Sequence, residues 1–430
     1  MKWAYIENIA NFVGEQVEIR GWVYHKRSKG GVRFLLVRDG TGIIQGVATE
    51  RDTDPKSFYL LDNLNQESSV IVRGKVREDK RAPMGYEISI DSIELVADSK
   101  DYPITPKSHG VDFLLQNRHI WIRSKRQWAI LRIRAEVMKA IEDFLWGKGF
   151  MRFDAPIFTP SACEGTTTLF EVNYFGEPVY LSQSGQLYCE ATAASFGKVY
   201  CFGPCFRAEK SKTRRHLTEF WQVEPEIAFA NLQDAIELAS EMIEYIVIRV
   251  LENRRRELEI LERNITPLES IKVPFPKIRY EEAVKKVNEL GEPMQFGEDF
   301  GAPHETILGK SVNAPLIVTH YPKELKAFYM RKEEGNEGAT LSFDILAPEG
   351  YGEIVGGGER EFDEEKIKKE IKERSLPEEA FKWYIDLRKY GSVPHAGFGL
   401  GIERTVAWIS GTSHVRETIP FPRTLGRVNP

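Results

Sequence analysis

The sequence predicts an α+β protein, with a barrel of short strands ahead of an antiparallel sheet flanked by helices. Three observations carry this reading. Over residues 1–100, apolar and polar residues alternate, and β-branched residues crowd between glycines. Beyond residue 117, strand-like runs follow one another with little βαβ alternation. Between those runs lie stretches with apolar residues at every third or fourth position.

In chain order, the first strands are expected over Gln16–Tyr24, Arg33–Arg38, Gly42–Ala48, Ser69–Val76 and Tyr86–Leu95, with breaks at Gly30, Gly31, Gly40 and Gly42. A helix is expected over Pro55–Leu64, between the third and fourth strands. Five strands with that insertion fit a closed barrel of the OB type, which binds oligonucleotides on the face of its second and third strands. Pro103, Pro106 and Gly110 mark residues 101–116 as a linker. Residues 117–430 then form the second domain, which opens on a long helix over Lys125–Lys148. There Trp128, Leu131, Ala135, Met138, Ile141 and Leu145 keep helical spacing, and Gly149 ends the run.

Further strands are expected at Val179–Gln183, Val199–Ala208, Glu219–Ala228, Pro315–His320, Ala327–Met330, Thr340–Leu346 and Tyr351–Gly356. Helices are expected at Leu187–Phe196, Asn231–Arg263, Tyr280–Leu290, Glu364–Arg374 and Pro377–Tyr390.

With 430 residues, 42% hydrophobic and 29% charged, the composition excludes fibrous and disordered classes. No run of about twenty apolar residues occurs, so a membrane span is not expected and a cytoplasmic protein is. Cys163, Cys189, Cys201 and Cys205 form neither a disulfide framework nor a Cys-x-x-Cys pair, and read as reduced and packed. The net charge of -5 means that any polyanion must be met by local clusters. Two candidates are His25, Lys26, Arg27, Lys29 and Arg33, and Lys210, Lys212, Arg214, Arg215 and His216.

Chemistry concentrates in two segments. In Phe206–Glu226, alternation puts Arg207 and Glu209 on one strand face, and Phe220, Gln222, Glu224 and Glu226 on one face of the next strand. A guanidinium, carboxylates and an aromatic ring suit a nucleotide and an amino acid. They suit an exposed face laced with salt bridges equally well, and these residues alone leave both readings open. In Gly397–Arg404 a glycine-rich strand runs into a helix at Thr405–Ser410. Its spacing is not that of a dinucleotide or P-loop turn. Missing side chains there let a ligand lie flat on the strand, with Arg404 at the helix start.

These two segments resemble the second and third signature motifs of class II aminoacyl-tRNA synthetases. The helix ending at Gly149, with Phe150–Pro160 and its central Pro156, resembles the first. A barrel ahead of such a core resembles the aspartyl, asparaginyl and lysyl subgroup, and the likeness spans the chain. The resemblance implies a homodimer built on the first motif. It implies that Arg207 clamps the ATP α-phosphate and the amino-acid carboxylate, and that His216 and Arg404 hold the outer phosphates. Phe220 would stack on adenine, with Glu209, Leu217 and Gly401 completing the ATP set. Arg207, Glu209 and Arg404 would carry catalysis, and Asp344 and Glu353 would hold Mg2+ as hard oxygen donors.

Amino-acid choice is implied by departures within the subgroup. Gln183–Glu190 resembles the aspartyl pattern but has Gly185 in place of proline and Cys189 in place of the lysine that meets a β-carboxylate. Ser184, Gln186 and Glu164 would orient the amino group, and Arg360 would donate to a side-chain oxygen. Glu224 would accept from an amide and repel a carboxylate; two like charges about 4 Å apart cost roughly 4 kcal/mol at an effective dielectric near 20. This pattern, with the long loop Leu346–Glu353, matches asparaginyl enzymes: ATP-dependent joining of asparagine to tRNA through the adenylate. Glu359 departs from it, since glutamine is expected there.

In the barrel, Phe34 and Gln45 match the positions that read the middle anticodon base, with Arg20 and Arg27 on phosphates. Without the resemblance, Phe34 reads as barrel core. An aspartyl enzyme with relaxed tRNA choice is opposed by Cys189 and Glu224. A synthetase-derived asparagine synthetase would not need the barrel. A non-catalytic RNA binder would not keep Arg207, Glu353, Arg360 and Arg404, which are costly to bury unpaired.

Overall fold

A computed structural model describes residues 1–160, 163 and 168–430. The chain divides into two compact units, Met1–His109 and Gly110–Pro430.

In the first unit, Gln16–Lys29 pairs antiparallel with Val32–Arg38 and with Ser69–Glu78. Val32–Arg38 pairs with Ile43–Thr49, which runs parallel to Tyr86–Ala97, and Tyr86–Ala97 returns to Ser69–Glu78. Every one of these strands thus has two neighbours, and the barrel is closed. Val17, Ile19, Leu35, Val37, Val70, Val72 and Ile88 fill it, with Phe58 and Leu61 of the helix Pro55–Asn63 packed against them. Asp54 caps that helix by accepting from the Ser57 N–H at 2.9 Å. The first strand runs five residues beyond its expected end, because His25–Lys29 continues as a polar hairpin arm paired with Val32–Leu36.

In the second unit, an eight-stranded sheet is ordered Lys277–Arg279, Leu316–Thr319, Ser342–Ala347, Gly352–Glu359, His395–Gly401, Glu219–Ala228, Lys198–Phe206, Met151–Phe153. The six central strands are antiparallel, and the two edge strands join parallel. Helices Lys125–Gly147, Leu232–Asn253 and Ile402–Ser410 cover one face, burying Ile133, Val137, Ile141, Ile246, Trp408 and Val223 in one core. Asn231 and Asp234 form a reciprocal cap at the start of the second helix. The opposite sheet face stays open toward polar groups.

Two expectations fail. Ala327–Met330 is a turn rather than a strand, and it is joined to the sheet by a single bridge, Met330 to Arg360. Its apolar residues are buried by packing: Phe328 lies 5.1 Å from Phe381 and 5.9 Å from Tyr384. The helix expected over Asn231–Arg263 breaks at Arg254, where the backbone leaves the helical region and the guanidinium reaches Glu136 at 3.0 Å. Neither cause is local. Among the described residues no helix is long and apolar enough to cross a membrane.

Candidate active site

The open face carries a pocket whose two ends differ in chemistry. Its nucleotide-like end is built by the loop between Lys198–Phe206 and Glu219–Ala228. Arg207 follows the first strand directly, and its N–H donates to Thr218 at 3.0 Å, closing the loop. Its guanidinium lies 5.2 Å from the Phe220 ring centroid. The expected strand over Val199–Ala208 stops at Phe206, so Arg207 and Glu209 lie in the loop, and its closure rather than strand alternation brings Arg207 to Phe220. Lys210, Lys212 and Arg214 stay exposed, while Arg215 and His216 turn inward. Arg215 staples the loop by donating to Glu305, the Thr306 hydroxyl and the Gly350 carbonyl, each at 2.6 Å. His216 shares a hydrogen bond with the Thr213 hydroxyl. Burial, then the Arg404 cation, pushes its imidazole below the usual range.

Leu217 is buried on the pocket wall against Ala407 and Val415. Gly401 opens onto the pocket, and a Cβ there would meet nothing within 4 Å. Arg404 lies in the first turn of Ile402–Ser410 and donates to the Glu353 carbonyl at 2.9 Å and its carboxylate at 3.4 Å. Glu209 lines the same end.

Asp344 and Glu353 flank Gly356. A Cβ there would meet a Glu353 oxygen at 2.9 Å and an Asp344 oxygen at 3.3 Å, so the glycine leaves both carboxylates facing one opening. Burial, together with Glu353, pushes Asp344 up to about 6 against the pull of Lys326, and burial and Glu353 push Glu305 up to about 6 against Arg404 and Arg215. Two carboxylates with phosphate and water oxygens are a donor set that magnesium accepts. Among the described residues, no group of three or more metal-type side chains occurs. Sequence reasoning missed Lys326, whose ammonium bonds both Asp344 oxygens at 2.7 Å and lies 3.9 Å from the Tyr321 ring centroid. It placed Gln222 on the right face but gave it no role, although its buried Oε1 has no hydrogen-bond partner among the described residues and it lines the pocket. Its place on the Phe220–Glu224 face was the available signal.

The other end is sealed. Arg360 donates to Glu226 at 3.1 and 3.0 Å, and the pair is 2% and 1% exposed. Its remaining Nη1 lies 3.6 Å from the Met330 sulfur, on the pocket side. Glu190 lies beneath, accepting from Tyr384 at 2.8 Å, Gln186 at 3.0 Å and Arg388 at 2.5 Å, with His395 at 2.9 Å. Burial works to raise Glu190, but Arg388 and His395 outweigh it and hold the carboxyl well below its usual range. Glu226 moves the opposite way: burial raises it despite Arg360.

Glu224 lines the pocket beside Gln186 and Arg360. It accepts from the Ser184 hydroxyl and, at 2.8 Å, from the Gly185 N–H. Ser184 itself is buried behind the pocket, between Glu224 and the Gln186 N–H at 3.1 Å. Glu359 accepts from Arg331 at 2.9 Å and from the Leu232 N–H at 2.9 Å, so its extra charge sits at a helix N-terminus. Glu164 lies outside the described residues.

On the barrel, Leu35 and Val37 point inward and Phe34 faces out, 4.3 Å beneath the Arg27 guanidinium. Gln45, opposite Leu36 on the next strand, donates to Glu87 at 3.1 Å. Arg20 bonds Glu18 at 2.8 Å and lies 4.6 Å from the Trp3 ring centroid.

Comparison with known proteins gives one consistent result. The family described as tRNA synthetases class II (D, K and N) matches residues 110–425, and the OB-fold nucleic acid binding domain matches residues 17–96. The chain is 54% identical over 430 residues to the asparagine–tRNA ligase of Desulforamulus reducens, and 53% identical over 430 residues to that of Pelotomaculum thermopropionicum, covering 100% of each chain. Among solved structures, asparaginyl-tRNA synthetase from Pyrococcus horikoshii complexed with asparaginyl-adenylate aligns over 100% of both chains, with a TM-score of 0.96 and 40% identity.

Proposed function

The chain belongs to the class II tRNA synthetases of the D, K and N group, and from that premise we infer how its pocket works. The reaction is the ATP-dependent ligation of asparagine to tRNA through asparaginyl-adenylate, with release of pyrophosphate and then AMP. The observation that carries the residue-level reading is the pairing, on one sheet face, of a cationic end around Arg207 and Arg404 with a sealed end lined by both Glu224 and Arg360.

Phe220 stacks on adenine, with Leu217 and Gly401 beside it. His216 and Arg404 take the outer phosphates, and Glu209 steadies the loop that carries them. Arg207 draws the α-phosphate and the amino-acid carboxylate together. Gln186, with Glu164, orients the amino group, while Ser184 acts from behind the pocket through Glu224. Arg360 donates to the side-chain oxygen of asparagine, and Glu224 accepts from its amide nitrogen. The carboxylate of asparagine attacks the α-phosphorus and pyrophosphate leaves. The terminal hydroxyl of tRNA then attacks the carbonyl of the adenylate and AMP leaves. Rate comes from alignment and from cations placed where charge develops. Asp344 and Glu353 would hold Mg2+, which neutralises phosphate charge when bound.

Cys189 packs with Ala193, Val199 and Cys201, an apolar setting that offers no cation to an aspartate side chain. Phe34, Gln45 and Arg27 meet the anticodon, and exposed Lys210, Lys212 and Arg214 meet phosphates nearer the reacting end. A homodimer is supported by the exposed apolar residues Met151, Ile157 and Phe158 in the segment following the long helix. A cytoplasmic setting suits four free cysteines.

Pyrophosphate exchange into ATP, run with asparagine, aspartate and lysine in turn and without tRNA, tests the reading. Exchange with asparagine alone is expected. Exchange with aspartate instead would overturn the assignment of Glu224 and Arg360 while leaving the ATP site standing.

A further inference from the structure

Glu224 can discriminate only while it is ionised. As a carboxylate it accepts from an amide and repels a second carboxylate. Protonated, it would present an O–H donor and welcome aspartate. Removing water from around a carboxyl favours the protonated form, and Glu224 is only 6% exposed. Something in the fold must therefore hold it ionised.

Three donors converge on it. The Ser184 hydroxyl donates to Oε1, the Gly185 N–H donates to Oε2 at 2.8 Å, and the Cys201 thiol reaches Oε2 at 3.3 Å. Donors to the charged form favour it, and hydrogen bonds to a charged group are the strong ones. The three come from different places. Cys201 is the cross-strand partner of Glu224 on Lys198–Phe206, and Ser184 and Gly185 precede the helix Gln186–Phe196. Gly185 is what lets them meet: a Cβ at this residue would stand 2.4 Å from the Cys201 sulfur and 3.3 Å from Glu224 Oε2.

We propose that Ser184, Gly185 and Cys201 form a donor cradle that keeps Glu224 an acceptor, which makes Cys201 and Gly185 positioning residues for the exclusion of aspartate. This rests on the reading of Glu224 as the group that meets the asparagine amide.

The other titratable groups around Glu224 are consistent with this. A hydrogen bond with Cys189, then burial and the Glu224 charge, push the Cys201 thiol well up, so it remains an S–H donor; Cys205 acts on it in the same direction. The neighbouring Arg360 is tied to Glu226, and beyond them Glu190 is tied to Arg388 and His395. Arg360 is thereby engaged with a carboxylate other than Glu224, which leaves the three donors to hold Glu224.

The test is pyrophosphate exchange with asparagine and with aspartate, from about pH 5.5 to about pH 8, in Cys201→Ala, Cys201→Ser, Ser184→Ala and Glu224→Gln. For Cys201→Ala and Ser184→Ala, the KM for asparagine is expected to rise about tenfold, as for a lost hydrogen bond to a charged group, with kcat and the KM for ATP unchanged. In both, exchange with aspartate should rise as pH falls. Cys201→Ser keeps a donor and should discriminate as the unaltered protein does. If Cys201→Ala and Ser184→Ala keep the unaltered asparagine-to-aspartate ratio at every pH while Glu224→Gln collapses it, the cradle is wrong and the reading of Glu224 stands. If Glu224→Gln also keeps the ratio, both fall. A Cys201→Ser variant as permissive as Cys201→Ala overturns the role of the thiol as a donor.

Discussion

The two ends of the pocket solve opposite problems. At the amino-acid end, Arg360, Glu226 and Glu190 are at most 3% exposed, and each ionic group has a fixed partner. At the nucleotide end, Arg404, Glu353 and Lys326 are half-buried, and the cations rest on carboxylates. Choosing between an amide and a carboxylate of nearly the same shape demands charges that cannot shift. Receiving a polyphosphate demands cations that can change partner. Burial decides which of the two a given arginine does.

That contrast is easiest to break at Arg360. Replacing it with methionine leaves Glu226 buried and unpaired, which is expected to cost about 3 to 5 kcal/mol of stability and to abolish asparagine activation. Thermal unfolding and exchange together would show it, and an Arg360→Met protein of unaltered stability would refute the sealed-end description. Arg404→Ala should do the reverse: kcat/KM for ATP falls about a hundredfold to a thousandfold, as for loss of one cation meeting transition-state charge, with little change in melting.

A pH test sharpens the comparison. Glu305 and Asp344 have their carboxyls raised to about 6 in the fold, so they bind more protons folded than unfolded. Stability of the ligand-free protein is therefore expected to fall as pH rises from about 4 through about 6, by about 2 kcal/mol for Glu305 and about 3 kcal/mol for Asp344. Glu305→Gln should remove its share of that slope in melting curves taken at several pH values. The smallest effect is expected on the barrel, which shares neither end's problem. Phe34→Ala should weaken tRNA binding by about 1 kcal/mol, the low end for a stacked base because Arg27 already covers one face of the ring, and leave adenylate formation unchanged.

The residues readable in advance are those governed by local periodicity. Period-two alternation placed Phe220, Gln222 and Glu224 on one face, because the strand Glu219–Ala228 is regular along its length. The five barrel strands and the long helix were legible for the same reason. Lys326 was not, since it sits before a turn that its aromatic neighbours made look like a strand. The break at Arg254 involves an ion pair to Glu136, 118 positions earlier in the chain, which no local pattern encodes. Ser184 was read as facing the substrate because the resemblance implied it. Its hydroxyl turns behind the pocket to meet Glu224, a choice made by a partner strand. The roles of Phe34, Gln45 and Arg27 came from resemblance, and alternation in the sequence did not tell which face of the barrel would carry Phe34.

The pairs Lys326 with Asp344 and Arg404 with Glu353 give the pocket the character of an ion exchanger loaded with its own counter-ions. A guest bringing anion and dication together would match both halves, since Lys326 and Arg404 would meet its phosphates and Asp344 and Glu353 would hold its metal. Free phosphate or free pyrophosphate offers only the anionic half, and its arrival strands Glu353 and Asp344 beside each other. On the proposed reading, such a site would favour a metal-loaded nucleotide over the free anion, through charges the chain itself supplies.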